Sequence, residues 1–123
     1  MRQRAWNTRI KKACIEAGTY KPYFDSVIKT LSMMMARRDA CEEEFQASGA
    51  EPTIEYTNKG GSTNVVKNPL LAMIDDLDKN ALQYWRDLGL TPAGLKKIKD
   101  SSFKAAETTG GNALIDKLRE LRE

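Results

Sequence analysis

Eight basic side chains stand in two groups: Arg2, Arg4, Arg9, Lys11 and Lys12 in the first dozen residues, and Lys96, Lys97 and Lys99 further on. Clustered cations of this kind do not break bonds; they neutralise phosphates along a polyanion. Trp6, Tyr20, Tyr23 and Phe24, interleaved with or just after the first group, add stacking surfaces that raise nucleic-acid contact above background, level with a merely solvated basic face. Covalent chemistry is poorly provided for. The chain has no histidine, which removes the commonest general base, the commonest zinc ligand and any Ser-His or Cys-His nucleophile. Cys14 and Cys41 lack a metal-pair spacing and fall on helical apolar faces, so both read as reduced thiols. The acidic runs "EEEF" (42 to 45) and "DDLD" (75 to 78) fit exposed helical faces better than a metal site. Neither "NKGG" nor "TTGG" has the spacing of a phosphate-cradling loop. No metal and no cofactor is expected.

The overall charge of +3 conceals a segregation. Residues 1 to 38 carry nine basic and two acidic side chains, a net +7, whereas residues 39 to 56 carry six acids and no base. From 86 to 104 the balance returns to +3. Basic segments flanking an acidic middle suit a polyanion held at chosen surfaces, and contact of unlike charge between neighbouring copies.

These charges need elements to position them. The 123 residues, 41% of them hydrophobic, are enough for one domain with one core. No apolar run reaches the roughly 18 residues that could cross a bilayer, and the start lacks the apolar stretch of a secretory signal, so a soluble intracellular protein is expected. Trp6, Ile10, Ala13, Cys14 and Ala17 predict a helix over about 4 to 17 that Gly18 ends. Pro22 and Gly49 bracket a long second helix, with Phe24, Ile28, Leu31, Met34 or Met35, Cys41 and Phe45 as its buried stripe. The triple methionine at 33 to 35 reads as filler on a helix that buries more than one side. Between 50 and 68, "TIEYT" and "STNVV" around "NKGG" predict a small hairpin or extended arm, which if ordered must pack on another element or another subunit. Asn68 and Pro69 open a third helix whose Leu70, Ile74, Leu77, Ala81, Tyr84 and Leu88 form a heptad-like seam. In "RDLGLTP" Gly89 takes the left-handed position, Leu90 folds back, Thr91 caps, and Pro92 opens a short basic helix to about 100. Beyond it lie a linker and an amphipathic "ALIDKLREL" segment, which reads as a core-docking or a partner-binding helix.

The stretch "NPLLAMIDDLDKNALQYWRDLGLTP", with "FQASG" and Asp25 upstream, closely resembles the small subunits of tailed-phage DNA-packaging terminases. The resemblance spans about residues 14 to 98, and Asn68-Pro69 and Leu88-Gly89-Leu90-Thr91-Pro92 carry it; the first dozen residues and the tail beyond about 100 match no pattern. It implies a non-enzymatic, mainly helical, ring-forming protein that recognises double-stranded phage DNA and hands it to a large subunit holding the ATPase and nuclease, in the host cytoplasm. Within it Thr91 and Pro92 would be structural. The "AGLKKIK" that follows departs from the Ser/Arg-type residues of many relatives and transfers a basic role to Lys96, Lys97 and Lys99.

The resulting expectation is a mainly α protein divided into a basic N-terminal helix (1–18), a helical-hairpin oligomerisation core (19–100) with its arm (50–68), and a linker with a terminal helix (101–123). DNA contact falls to Arg2, Arg4, Arg9, Lys11, Lys12, Lys96, Lys97 and Lys99. The oligomer interface falls to Phe24, Ile28, Leu31, Met34, Met35, Leu70, Ile74 and Leu77, and the large-subunit contact to Leu114, Leu118 and Leu121. A small dimeric phage regulator using residues 80 to 100 as a helix-turn-helix is the competing reading.

Overall fold

The computed structural model of the chain describes residues 1–101. Helix α1 spans Gln3–Ala17, a 3-10 turn spans Pro22–Phe24, and α2 spans Asp25–Ala47. Strands β1 (Thr53–Thr57) and β2 (Thr63–Lys67) precede α3 (Pro69–Asp87), and α4 is helical from 92 through 101. The architecture is mainly helical with one two-stranded antiparallel sheet. The first turn expected for the long helix is 3-10 instead, because Phe24 N–H bonds to Lys21 O at 2.9 Å and closes a tighter loop after Lys21.

Local chemistry sets the boundaries. Gly18 ends α1 with a left-handed φ of 75°, and Thr19 N–H returns to Cys14 O at 2.9 Å. The Asn68 side chain accepts the Leu70 N–H at 3.0 Å, capping α3, while its amide donates to Glu51 O at 3.0 Å. One buried residue therefore caps α3 and pins the root of the arm.

Helices α2 and α3 pair with sequence numbers running in opposite senses. Ile28 and Leu31 share a buried cluster with Ala81 and Leu88, Arg38 bonds Asp78 at 3.0 Å, and Cys41 lies across from Met73 and Leu77. Helix α1 adds Ile10 and Cys14 to the cluster, with Trp6, Tyr20, Phe24, Met34, Met35, Trp85 and Leu90 packed around it. Each large aliphatic side chain buried here contributes about 1.5–3 kcal/mol of transfer free energy. Ile28, Leu31 and Ile74, expected at an oligomer interface, are at most 3% exposed within one protomer. Their apolar surface is already covered by the chain's own helices, so they add no area for a neighbour. Phe24, Met34, Met35, Leu70 and Leu77 keep part of their surface.

The corner after α3 is tightly built. Gly89 has φ 74°, and a Cβ there would fall 2.8 Å from Thr19 Cγ2 and 2.9 Å from Ile98 Cδ1. Leu90 N–H bonds Trp85 O at 2.8 Å, and the Thr91 hydroxyl accepts the Gly94 N–H at 3.1 Å. Thr19, buried beside it, donates its hydroxyl to Leu88 O at 2.7 Å and so ties the end of α1 to the corner.

Candidate nucleic-acid interface

Arg4, Arg9 and Lys12 are exposed on α1, away from the face that carries Ile10 and Cys14 inward, and Arg2, just before the helix, is exposed beside Ala36, Asp39, Ala40 and Glu43 of α2. The Arg9 guanidinium lies 5.3 Å from the centroid of the Trp6 ring, which orients the cation while leaving its donors to solvent. Lys11 is differently placed. It is half-buried with its ammonium 5.1 Å from the centroid of the Tyr20 ring, and Tyr20 donates its hydroxyl to Asp25 at 2.8 Å. Tyr20 first, then Asp25, holds the Lys11 ammonium above its ordinary pKa. Lys11 thus fastens α1 to the start of α2, which separates it from the free cations beside it.

Lys96, Lys97 and Lys99 are exposed on α4. Lys97 shares a depression of about 460 Å³ with Arg86, Asp87, Gly94, Ile98 and Ser101. Sequence spacing did not pair Lys97 with Arg86, because they come from two helices joined only by the corner. Lys29 was missed for the same reason: the fold sets this α2 residue with Arg4, Gln3, Asn7 and Thr8 around a second depression of about 450 Å³. Helix α1, which carries the first basic group, is tied to the corner that leads to the second. Trp6 makes an edge contact with Trp85 at 6.4 Å between centroids, one residue before Arg86, and Thr19 bonds Leu88 O. Both ends of α1 are therefore attached to the last turn of α3.

Asp39, counted in sequence with the acidic block, is the anchor of that attachment. Its carboxylate accepts the Trp6 indole N–H at 2.7 Å and the Met1 amino group at 3.0 Å, with Arg38 at 3.9 Å. Partial burial pushes its pKa up, but the Trp6 hydrogen bond, the amino group and Arg38 outweigh it and hold the carboxyl below its ordinary value. A carboxylate with a lowered folded-state pKa stabilises the fold above its unfolded value, and that contribution is lost as pH falls through the folded one. Acidification below about pH 4 is accordingly expected to release Trp6 before the core melts. Intrinsic tryptophan fluorescence reports it directly, since both tryptophans lie in this cluster. An Asp39→Asn variant that shows the same acid transition would remove Asp39 from the role.

Cys14 is buried and Cys41 half-buried, both as free thiols, and burial raises the Cys14 pKa despite a hydrogen bond from Thr19. Among the described residues no group of three or more His, Cys, Asp or Glu is placed to hold a metal ion. No described helix is long and apolar enough to cross a membrane.

A family model for the phage terminase small subunit matches residues 3–103. The chain belongs to the phage terminase small-subunit family. The match takes in all of α1, which lies largely outside the motifs that carry the terminase resemblance in the sequence, and ends just past the described part of α4. The basic α1 face and the α3–α4 corner both lie within the terminase small-subunit region. No curated protein and no solved structure gives a match. Leu114, Leu118 and Leu121 lie outside the described residues.

Proposed function

We propose that the chain is the non-catalytic DNA-recognition subunit of a phage packaging terminase. It binds double-stranded phage DNA as a homo-oligomeric ring and engages a large subunit that carries the ATPase and nuclease, in the host cytoplasm. The observation that carries the reading is the attachment of α1, which bears the first basic group, to the corner that bears the second, through Trp6–Trp85 and Thr19–Leu88, in a chain of terminase small-subunit type. Arg2, Arg4, Arg9, Lys12 and Lys29 would serve as phosphate contacts from one side, and Arg86, Lys96, Lys97 and Lys99 from the other. A few contacts per protomer suffice, because linked weak sites share an effective concentration when they repeat around a ring. The half-exposed Phe24, Met34, Met35, Leu70 and Leu77 supply oligomer contacts, and Leu114, Leu118 and Leu121 the large-subunit contact.

Anisotropy of a labelled 40-base-pair duplex, titrated with the full chain at several salt concentrations, tests this. The expected result is log-log salt dependence with a slope of about −5 or steeper, as six or more phosphate contacts require. A flat dependence, or no binding at low salt, would reject it. The helix–turn–helix outline of α3 and α4 keeps the regulator as second reading; a footprint confined to one short palindrome, made by a dimer, would establish that instead.

A further inference from the structure

The arm poses a problem within one protomer. Its strands pair Ile54 with Val66 and Tyr56 with Asn64, so Ile54, Tyr56 and Val66 share one face, while Val65 sits opposite with Glu55 and Lys67. Every strand residue is exposed except the half-buried Val66, and Tyr56 keeps 56% of its surface. An isolated two-stranded ribbon is marginal in water. Yet the arm is carefully built: Asn58 accepts the N–H groups of Gly60 and Ser62 at 3.0 Å each, Thr57 and Thr63 join hydroxyls at 2.9 Å, and Asn68 pins the root. A prepared turn and a fixed root, with an apolar face that its own protomer covers only in part at Val66, describe a ribbon shaped for a surface outside its own protomer.

The same chain carries an uncovered apolar groove. Arg37, Ala40 and Cys41 of α2 and Met73, Asp76 and Leu77 of α3 line a cavity of about 390 Å³, with Met73 52% exposed. We propose that the Ile54–Tyr56–Val66 face of the arm seats in this groove on a second copy of the chain. The inference rests on the homo-oligomer reading above and names its interface. Three observations select this occupant. No strand residue of the arm lines its own protomer's groove, and all but the half-buried Val66 are exposed. Between residues 50 and 68 two acids and two lysines cancel, which disfavours a phosphate backbone and favours a protein surface. The groove's Asp76 finds an opposite charge in Lys59 at the turn of the arm. Arm and groove are different patches, so the contact is head-to-tail, and repeating it closes a ring or extends a filament.

Cys41 in the groove makes the test direct. A full-length Tyr56→Cys chain is treated with diamide and run on a non-reducing gel. The expected result is a reducible ladder of dimers and larger species that takes up more than half of the chain. The ladder should vanish when Cys41→Ser is added, and should be absent for Val65→Cys on the opposite face. A faster-migrating monomer would show the arm folding onto its own groove, and equal ladders from positions 56 and 65 would show collision; either overturns the proposal, as does no ladder at all. If the wild-type chain is a high-mass oligomer that binds DNA and position 56 still does not link to Cys41, this interface fails and the proposed function stands. If the wild-type chain is monomeric, both fail.

Discussion

A Gly94→Ala chain is expected to be less stable than wild type by about 3 kcal/mol, near the upper end of typical core overpacking costs. For a domain of this size that corresponds to an unfolding midpoint lower by roughly 10 °C or more. The sign is what makes the experiment informative. Gly94 lies in the first turn of α4, and helix propensity alone favours alanine over glycine by about 1 kcal/mol in a helix interior. The structure opposes this, because a Cβ at position 94 would sit 2.1 Å from the Arg86 carbonyl oxygen and 2.9 Å from its carbon. Those atoms are backbone in the last turn of α3 and cannot rotate away. Relief requires α4 to lift from α3, which separates Lys97 from Arg86 and loosens the packing of Ile98 beside Gly89 and Thr19. Thermal unfolding followed by circular dichroism reads the outcome. Stability equal to or above wild type would mean that α4 is not seated against α3 in this way.

Changing Arg2, Arg4, Arg9 and Lys12 together to glutamine is expected to weaken duplex binding roughly 100-fold near 0.15 M salt, and to reduce the salt slope by about 1 for each phosphate no longer neutralised. These four are exposed, and Arg2, Arg4 and Lys12 have no ion-pair partner among the described residues, so the fold should survive the change. Arg9 lies over Trp6, and replacing it costs a cation–π interaction of about 0.5–1 kcal/mol. Lys11 is kept because it fastens α1 through Tyr20, so altering it would confuse anchoring with binding. The matched set Arg86, Lys96, Lys97 and Lys99 to glutamine should act in the same direction. If both sets leave the slope unchanged, the basic surfaces are solvated faces and the DNA contact lies elsewhere.

The elements that local chemistry decides were legible in the sequence. Asn68 capping a Pro69-opened helix, Gly89 turning the chain left-handed and Thr91 capping α4 each depend on residues within a few positions, and each is observed. The two short strands were also readable from composition around "NKGG". What could not be read depends on partners from other elements. Gly94 looks like a weak helix residue until the Arg86 carbonyl, eight positions back, is placed against it. Asp39 looks like one acid of a run until Trp6 arrives from α1. Lys11 looks like its basic neighbours until Tyr20 covers it. Ile28, Leu31 and Ile74 show the limit most clearly, since periodicity tells which side chains are apolar and not whether the covering surface comes from the same chain. Arg86 and Lys29 entered the candidate interface only when folding brought other cations beside them.

The native mass of the full chain at micromolar concentration, measured by light scattering with and without a duplex, tests whether the chain acts on DNA as a homo-oligomer larger than a dimer. The expected result is one discrete homo-oligomer well above a dimer that takes up DNA without falling apart. A stable monomer whose mass does not change with concentration or added duplex would contradict it.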